Sequence, residues 1–334
     1  MYFVSDNAAA ACPEVIEAVL AANSGVEGTY DDDTLTRRLD GVFGDFFGHE
    51  CRVFAVGSGT AANCLGLAAM VPPWGAVVCH REAHIQVDEA GAPAFFSGGA
   101  ALLLAEGEAA KLTVDAVRAA VAGIRGDVHQ VVPSALSLTQ ATEYGCVYTP
   151  EEVAALGDEA KQRGWRLHMD GARFANALVH LGCAPADITW RAGVAMLSFG
   201  FIKNGGMSAE AIVVFDPALA ETLPHRKKRA GQMPSKGRYA AAQLLAMIET
   251  GAWERNARAA NAAAARIGAA AGGRLIHPVQ ANEVFVRASP EESAALRAQG
   301  FGFYDWAAGE IRLVTAWDTP EAHVQALAAA LAAL

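Results

Sequence analysis

The sequence lacks several features that would identify whole classes of protein. No stretch approaches the roughly 18 uninterrupted apolar residues of a transmembrane helix, and the N-terminus, MYFVSDNAAAACPEV, has no basic leader before an apolar run. We therefore expect neither a membrane span nor a signal peptide. The six cysteines include no C-x-x-C pair, which predicts reduced, mostly buried thiols and a cytoplasmic location.

Basic residues are also scarce. The net charge is −10 and the pI is near 5.4, which argues against a nucleic acid partner, because nucleic-acid-binding proteins carry basic patches. One short basic cluster, HRKKR at 225–229, could be a solvated helix face. Apolar residues are abundant, at 53% of 334 residues, which suffices for a core in one large or two unequal domains.

Short apolar runs alternate with longer helical patterns over much of the chain. The runs are apolar throughout, as in strands covered on both faces, and the helical patterns include 113–125 and 150–164. The second begins at TPEEV, with Thr149 as N-cap and Pro150 in the first turn. This alternation predicts an α/β fold with a mainly parallel sheet. The predicted strands are 52–56, 76–79, 101–104, 130–138, 166–169, 194–199 and 211–215.

The pattern changes after about residue 217. Ala-rich helices over 237–270 precede two strands at 283–288 and 310–316, and a final helix follows from Thr319. We predict a large domain over residues 1–240, with the N-terminal segment, and a small α+β domain over 241–334.

Polar residue types cluster directly after the predicted strands. Ligands of open parallel sheets bind at the carboxyl ends of the strands, so we expect one crevice holding His84, Asp170, Arg173 and Lys203. The segments that follow the strands are GSGTAAN (57–63), HREAH (80–84), TQATEYG (139–145), DGAR (170–173) and GFIKNGG (200–206).

The GSGTAAN loop allows three interpretations. It formally fits the dinucleotide pattern G-x-G-x-x-G/A, but Glu82, the candidate acid after the next strand, has no recognisable ribose site around it. A Gly/Ser/Thr loop that opens a helix also offers free N–H groups and a positive dipole end to a single phosphate. The third interpretation is a tight turn with Thr60 as a helix cap.

Lys203 stands between two apolar segments, VAMLSFG and AIVVF, where an unpaired ammonium group would be costly. Pyridoxal 5′-phosphate requires a lysine that forms a Schiff base, an acid that pairs with the pyridinium nitrogen, and a helix N-terminus that binds the phosphate. Lys203 is the candidate lysine, Asp170 is the candidate acid, and the 57–63 loop opens the helix that would bind the phosphate. Lys203 therefore does not need to be a free buried charge.

Four segments resemble the low-specificity threonine aldolases of the β-eliminating lyase group, which are pyridoxal phosphate enzymes of fold type I, the aspartate-aminotransferase fold. The resemblance extends from SDN at 5–7 to RLVTAWD at 312–318. It implies a large domain with a mainly parallel seven-stranded sheet and a small C-terminal α+β domain. The four segments are AHIQVDEAGAP (83–93), SLTQATEYGCVYTPEE (137–152), HMDGARFANAL (168–178) and SFGFIKNGGMSAEAIVVFD (198–216).

The resemblance also implies an activity: retro-aldol cleavage of L-threonine, L-allo-threonine and related β-hydroxy-α-amino acids, such as phenylserine, to glycine and an aldehyde. Lys203 would be the Schiff-base lysine, Asp170 would pair with the pyridinium nitrogen, and His84 would stack on the ring near the substrate hydroxyl. The residues that would meet the phosphate are Gly59, Thr60 and Ala61.

Further residues follow from the same resemblance. Arg173, which also borders the cofactor, would bind the substrate α-carboxylate together with Arg312 and Ser5. Relatives are homodimers or homotetramers with active sites at subunit interfaces. In such an assembly Arg229 and Lys236 would reach the cofactor phosphate or the substrate of a neighbouring subunit.

One position departs from the family pattern. Many members carry a histidine in the loop where this chain has Glu143, so the proton of the β-hydroxyl would pass to His84, to Glu143 or to a water molecule. Another fold-type-I activity, β-elimination or transamination, would use the same lysine, acid and loop. An NAD-dependent oxidoreductase would use GSGTAA instead, and a non-catalytic relative would lack Lys203, Asp170 or Arg173.

Overall fold

The computed structural model describes all 334 residues and contains the predicted seven-stranded sheet. The strand order is β1-β7-β6-β5-β4-β2-β3, and β7 runs antiparallel to both of its neighbours while the other pairs are parallel. All seven predicted strands are confirmed to within two residues at each end. Their bounds are β1 Arg52–Val56, β2 Gly75–His80, β3 Ala101–Ala105, β4 Val132–Thr139, β5 Arg166–Gly171, β6 Val194–Phe199 and β7 Glu210–Val214.

Helices cover the sheet, and local sequence signals determine where several of them begin. At the start of α7, the Thr149 hydroxyl accepts a hydrogen bond from the Glu152 N–H, and the Glu152 carboxylate accepts one from the Thr149 N–H, so the predicted start is confirmed. The helices are α1 Pro13–Ala22, α2 Leu39–Phe47, α3 Gly59–Met70, α4 His84–Val87, α5 Ala92–Ser97, α6 Val114–Val121, α7 Pro150–Gln162, α8 Phe174–Leu181, α9 Pro217–Ala220, α10 Leu223–Arg229, α11 Arg238–Glu249, α12 Ala252–Ala271, α13 Pro290–Ala298 and α14 Glu321–Ala332.

The C-terminal region forms a second, antiparallel sheet of three strands in the order β8-β10-β9. Strands β8 (Glu283–Arg287) and β10 (Glu310–Val314) were predicted, whereas the short, partly exposed β9 (Tyr304–Ala307) and helix α13 were not. The start of α13 has a recognisable signal, because Ser289 and Glu292 form a capping box of the same kind as the one on α7.

Two segments pack across the predicted domain boundary at residue 240. Phe3 is buried in the core of the small sheet, and its backbone bonds to Gly302 and Val314. Helix α11 instead contributes Leu244 and Met247 to the core around the large sheet. The division into 1–240 and 241–334 stays a prediction.

Because β7 is antiparallel, its first residue lies at the edge where the parallel strands end. Glu210 thereby stands opposite Val56, the last residue of β1, and beside the turn that carries Lys203. The carboxyl edge of the sheet therefore collects residues that follow strands and one residue that precedes a strand. None of the helices combines the length and the apolar character that crossing a membrane requires.

Candidate active site

A cavity of about 250 Å³ opens at the carboxyl edge of the large sheet. The structure brings together four side chains that were predicted for the site, two loop residues that were predicted for the phosphate, and Glu143, one of the candidate bases. Residues that were not predicted also contribute to the wall. The predicted residues that line the cavity are Gly59, Thr60, His84, Asp170, Arg173 and Lys203, with Glu143; the additional ones are Asn7, Ser58, Asn63, Thr139, Ala141, Ala172, Ile202 and Glu210.

The loop after β1 opens helix α3 directly into this cavity. The Ser58 hydroxyl, rather than Thr60, caps the helix by accepting a hydrogen bond from the Ala61 N–H at 3.2 Å, so the interpretation of Thr60 as the cap is wrong. The Gly57 N–H donates to Gln232 Oε1 at 2.9 Å. The N–H groups at Gly59 and Thr60 belong to the first turn, which has no acceptors within the helix, and they suit an anion.

The dinucleotide interpretation of this loop does not fit the topology. Strand β1 is an edge strand whose only partner, β7, is antiparallel. A dinucleotide fingerprint belongs to a parallel βαβ unit at a topological switch point. The loop therefore suits a single phosphate better than a pyrophosphate.

Lys203 lies in a 3₁₀ helix, Ile202–Asn204, between β6 and β7. The turn is held from several sides: the Asn256 amide donates to the Asn204 carbonyl at 2.8 Å, and the Cys12 N–H donates to the Gly205 carbonyl at 2.8 Å. Lys203 itself is half-buried, and its Nζ makes neither a hydrogen bond nor a salt bridge. A rigid backbone thus presents a free amine to the cavity.

Asp170 ends β5 and is only 4% exposed. Its oxygens accept hydrogen bonds from Asn63 Nδ2 at 2.8 Å and from the Ala172 N–H at 3.0 Å, both neutral donors. No lysine or arginine pairs with this buried carboxylate. Because a buried carboxylate normally has a cationic partner, Asp170 has the chemistry expected of a residue that faces a pyridinium nitrogen.

His84 begins α4 and is held by a carboxylate that sequence analysis missed. His84 Nδ1 lies 2.9 Å from Glu89 Oε1; because an ionised carboxylate only accepts, Nδ1 carries the proton and Nε2 is left free. The hydrogen bond that His84 Nδ1–H donates to Glu89 raises the pKa of His84, against the effect of burial. Asn63 Nδ2 also donates to Glu89 Oε1, at 2.9 Å, so one amide links the carboxylate behind His84 to Asp170.

Glu143, in the loop after β4, is half-buried. Its Oε1 accepts hydrogen bonds from the His84 N–H at 2.8 Å and from Thr139 Oγ1 at 2.9 Å. Its Oε2 is buried without any partner. Burial raises the pKa of Glu143 to about 7.

Arg173 and Arg312 meet at two buried carboxylates. Arg173 binds Asp6 through Nε at 2.8 Å and Nη2 at 3.0 Å, and its Nη1 lies 3.2 Å from Glu283 Oε2. Arg312 Nη1 lies 3.8 Å from Glu283 Oε1. Glu283 thus reaches Arg312 from the neighbouring strand β8.

Aromatic side chains also hold Arg312. Its guanidinium lies 4.7 Å from the centre of the Trp306 ring and 5.3 Å from that of Tyr304, both on β9, which the sequence analysis missed. Arg312 does not line the cavity, but its Nη2 lies 3.5 Å from the Val4 carbonyl, next to Ser5. Ser5 caps the 3₁₀ helix Asp6–Ala8 through its hydroxyl, and Asn7 of that helix lines the cavity.

Five residues predicted for the site do not line the cavity of their own chain: Ser5, Ala61, Arg229, Lys236 and Arg312. Arg229 and Lys236 are exposed, and neither lines the site. Within the basic cluster, Lys227 differs from its neighbours, because it is 1% exposed and its Nζ lies 2.6 Å from Asp31 Oδ2. The interpretation of a solvated helix face holds for Lys228 and Arg229 but not for Lys227.

The wall of the cavity fits pyridoxal 5′-phosphate. A free amine at Lys203, a buried carboxylate without a cation at Asp170, and the first-turn N–H groups of α3 match the aldehyde, the ring nitrogen and the phosphate of that cofactor.

Comparisons with known proteins agree with this geometry. The family model for beta-eliminating lyases matches residues 2–290. The chain is 43% identical to a low specificity L-threonine aldolase from Pseudomonas sp., covering 99% of this chain and 97% of the relative. It is 44% identical to one from Pseudomonas aeruginosa, covering 98% and 95%.

Solved structures show the same fold. The threonine aldolase of Leishmania major superimposes with a TM-score of 0.91 at 26% identity, covering 99% of this chain and 98% of that one. The aspartate aminotransferase of Thermus thermophilus shares the fold, with a TM-score of 0.71. The chain therefore belongs to the β-eliminating lyase family, in the branch of the low-specificity L-threonine aldolases.

Proposed function

We propose that this protein cleaves L-threonine, L-allo-threonine and related β-hydroxy-α-amino acids, such as phenylserine, to glycine and an aldehyde, with pyridoxal 5′-phosphate as cofactor. The observation that carries the proposal is the free amine of Lys203, which lies in one cavity with Asp170 and the N-terminus of α3. When bound, the cofactor supplies an aldehyde that condenses with amines and a ring that accepts the electrons released at Cα.

Three parts of the chain would hold the cofactor. Lys203 Nζ would bond to it covalently, because nothing else in the fold engages this amine. Asp170 would face the ring nitrogen and keep it protonated, and the N–H groups of Gly59 and Thr60 would bind the phosphate. The Ala61 N–H already donates a hydrogen bond to the Ser58 hydroxyl. It would bind the phosphate only by sharing its proton between the hydroxyl and a phosphate oxygen.

Arg173 and Arg312 would bind the substrate α-carboxylate, with Ser5 beside them. A carboxylate held at two guanidinium groups cannot rotate freely about the N–Cα bond, so the clamp would orient the Cα–Cβ bond for cleavage. Positioning of this kind supplies a large part of the rate enhancement in reactions where a cofactor carries the electrons.

His84 would take the proton of the β-hydroxyl at Nε2. Glu89 fixes the tautomer that leaves Nε2 free to accept, and transfer to a positioned base typically adds about 10²–10⁴-fold. As the Cα–Cβ bond breaks, the aldehyde leaves, and a proton returned to Cα completes glycine. Glu143 is the second candidate base, because its Oε2 is unpartnered and its pKa is about 7.

The charge of the cavity supports a homodimer or homotetramer with shared active sites. The only lysine and arginine in the wall are Lys203 and Arg173, and both have other proposed roles, so no cation of the same chain faces the phosphate. Arg229 and Lys236, which are exposed, would supply that charge to a neighbouring subunit.

The test compares the wild type with Lys203→Ala and Asp170→Asn. We expect the wild type to show the absorbance of an enzyme-bound cofactor, and to release glycine and aldehyde from threonine and phenylserine. Lys203→Ala should lose the borohydride-reducible bond to the cofactor. Asp170→Asn should bind the cofactor weakly and lose activity by orders of magnitude, because an amide cannot stabilise the pyridinium charge.

Products distinguish the alternatives. Keto acid dependence would indicate an aminotransferase, and a keto acid with ammonia would indicate β-elimination. A reducible cofactor bond in Lys203→Ala, or near-normal turnover in Asp170→Asn, would contradict the assigned roles.

A further inference from the structure

Glu283 stands between the two arginines that are proposed to hold the substrate carboxylate. It is the first residue of β8 and is 2% exposed. Its Oε2 lies 3.2 Å from Arg173 Nη1, and its Oε1 lies 3.8 Å from Arg312 Nη1. Neither oxygen makes a hydrogen bond. A buried carboxylate thus faces both guanidinium groups without being firmly bound to either.

The second carboxylate of the cluster is bound differently. Asp6 makes a bidentate pair with Arg173 and also accepts a hydrogen bond from Asn282 Nδ2 at 2.9 Å. Although burial opposes it, the charge of Arg173 lowers the pKa of Asp6, so Asp6 stays ionised. Of the two acids, Glu283 is therefore the one that can change its contacts and its charge.

A substrate carboxylate would unbalance the charges of this cluster. Two guanidinium groups and two carboxylates are neutral together, and a third carboxylate would leave an excess negative charge among side chains that are at most 15% exposed, which is costly. Protonation of Glu283 removes that excess. The ionisable groups that face Glu283 are Arg173 at the start of α8, Arg312 on β10, Asp6 in the N-terminal 3₁₀ helix, Lys203 in the turn before β7 and the Cys146 thiol in the loop before α7.

We propose that Glu283 occupies Arg173 and Arg312 in the free enzyme and takes up a proton from solvent when the α-carboxylate of the substrate binds to them. Glu283 is then a positioning residue: ionised, it keeps the two guanidinium groups at the spacing that a carboxylate spans, and protonated, it releases them to the ligand. One proton moves from an acid of the solvent buffer to a Glu283 oxygen, where an O–H bond forms, and the conjugate base of the buffer remains in solution; no other bond changes. The inference rests on the proposed carboxylate clamp.

The direction of the pH dependence follows from this exchange. Burial raises the pKa of Glu283, opposed by the two arginines, and a bound carboxylate raises it further. Binding is then coupled to proton uptake, so carboxylate affinity is highest at low pH. Affinity weakens by up to about tenfold per pH unit as pH rises above the pKa of Glu283 in the free enzyme.

The experiment uses the holoenzyme and 3-hydroxybutyrate, which has the carboxylate and the β-hydroxyl of threonine but no amine that could react with the cofactor. Binding heats are measured by calorimetry in buffers of different ionisation enthalpy, which gives the number of protons taken up without any substitution. We expect uptake of up to about one proton per ligand. Binding without proton uptake across the pH range of enzyme stability would overturn the inference.

Two variants test whether Glu283 is the group that takes up the proton when the ligand binds. Glu283→Gln keeps the side-chain volume and should bind 3-hydroxybutyrate with no proton uptake and with affinity that no longer falls as pH rises. Glu292→Gln, a carboxylate of the small domain that is paired with Arg274 away from the site, is the control and should behave as the wild type. Proton uptake that persists in Glu283→Gln would also overturn the inference.

Arg312→Gln tests the clamp itself. Loss of 3-hydroxybutyrate binding in this variant supports the clamp, whatever the proton linkage shows. Unchanged binding means that the carboxylate binds elsewhere, in which case the proposed substrate contact and the role of Glu283 both fail. Binding that depends on Arg312 but takes up no proton refutes the role of Glu283 alone.

Discussion

At the scale of single residues, Glu89 determines how the His84 ring is presented to the cavity. The carboxylate holds Nδ1–H at 2.9 Å and is itself held by Asn63, whose amide also bonds Asp170. Histidines oriented by a carboxylate present one tautomer and become more basic. With His84 as the proposed base, Glu89 would act on the reaction through His84 without touching the substrate.

Replacing Glu89 should move the pH profile of the enzyme. Because the Glu89 hydrogen bond raises the pKa of His84, Glu89→Gln should shift the acid limb of kcat/KM for threonine to lower pH, since a base works only when unprotonated. Asp88→Asn, one residue away and exposed, should leave the limb in place. An acid limb that does not move in Glu89→Gln would assign it to another group, with Glu143 the next candidate.

At the scale of secondary-structure elements, the N-terminus of α3 depends on Ser58. The Ser58 hydroxyl accepts the Ala61 N–H, and loss of such a cap typically costs about 1 kcal/mol. In cofactor-free protein, Ser58→Ala should lower the melting temperature, whereas Thr60→Ala should change it little because Thr60 is inside the helix. A larger drop in melting temperature for Thr60→Ala than for Ser58→Ala would mean that Thr60 is the cap.

The antiparallel direction of β7 gives Glu210 a part in holding the lysine. Glu210 Oε2 accepts hydrogen bonds from the backbone N–H of Phe201 and, at 3.4 Å, of Ile202, at the start of the turn that carries Lys203. Burial raises the pKa of Glu210 to about 7. The folded protein thus keeps a proton on Glu210 that the unfolded chain releases at lower pH.

Glu210 should therefore make stability depend on pH. A carboxyl group whose pKa is higher in the folded protein than in the unfolded chain stabilises the fold fully at pH values below its ordinary pKa. This stabilisation is lost as the pH rises to the folded pKa of about 7. As pH rises toward about 7, the melting temperature of Glu210→Gln should fall less than that of the wild type. The amide oxygen of the glutamine can still accept hydrogen bonds from the two backbone N–H groups. Glu210→Ala should also slow the reaction of Lys203 with added pyridoxal phosphate. Equal pH slopes in wild type and Glu210→Gln would contradict this account.

At the scale of the whole molecule, the cavity wall is rich in carboxylates and poor in cations. Glu143, Asp170 and Glu210 line it, but among cations only Lys203 and Arg173 do. Glu143 and Glu210, each with a pKa of about 7, carry only part of a negative charge near neutral pH, but a phosphate adds up to about two negative charges to a wall whose two cations have other proposed roles. A cation from another subunit is the simplest compensation.

Mixed oligomers test this arrangement. A Lys203→Ala subunit and a Lys236→Ala subunit should each be impaired, and their hybrid should recover activity, because one of its sites has both lysines. Arg229→Ala should weaken cofactor binding without unfolding the protein, whereas Lys161→Ala, on the distant helix α7, should not. Full cofactor affinity in the Arg229 and Lys236 variants, with no recovery in hybrids, would leave the basic cluster as surface charge.

Much of the fold and the centre of the site could be predicted from the sequence, because their signals are local. Strands covered on both faces read as continuous apolar runs, and the carboxyl ends of parallel strands meet at one edge. His84, Asp170, Arg173 and Lys203 could therefore be assigned to a single crevice, and the structure places all four around it. The start of α7 was readable for the same reason, since a capping box is complete within four residues.

Only the tertiary structure decided which side chains stand behind these residues. Glu89, Asn63, Glu210 and Glu283 have no local signature, because their roles depend on partners that are remote in the chain: Asn63 and Asp170 are 107 positions apart. The sequence determined the strands and their edge through periodicity and composition, and it placed Lys203 at that edge. Packing determined the charges around that lysine, because burial and the pairing of acids with arginines depend on three-dimensional distance rather than on order along the chain.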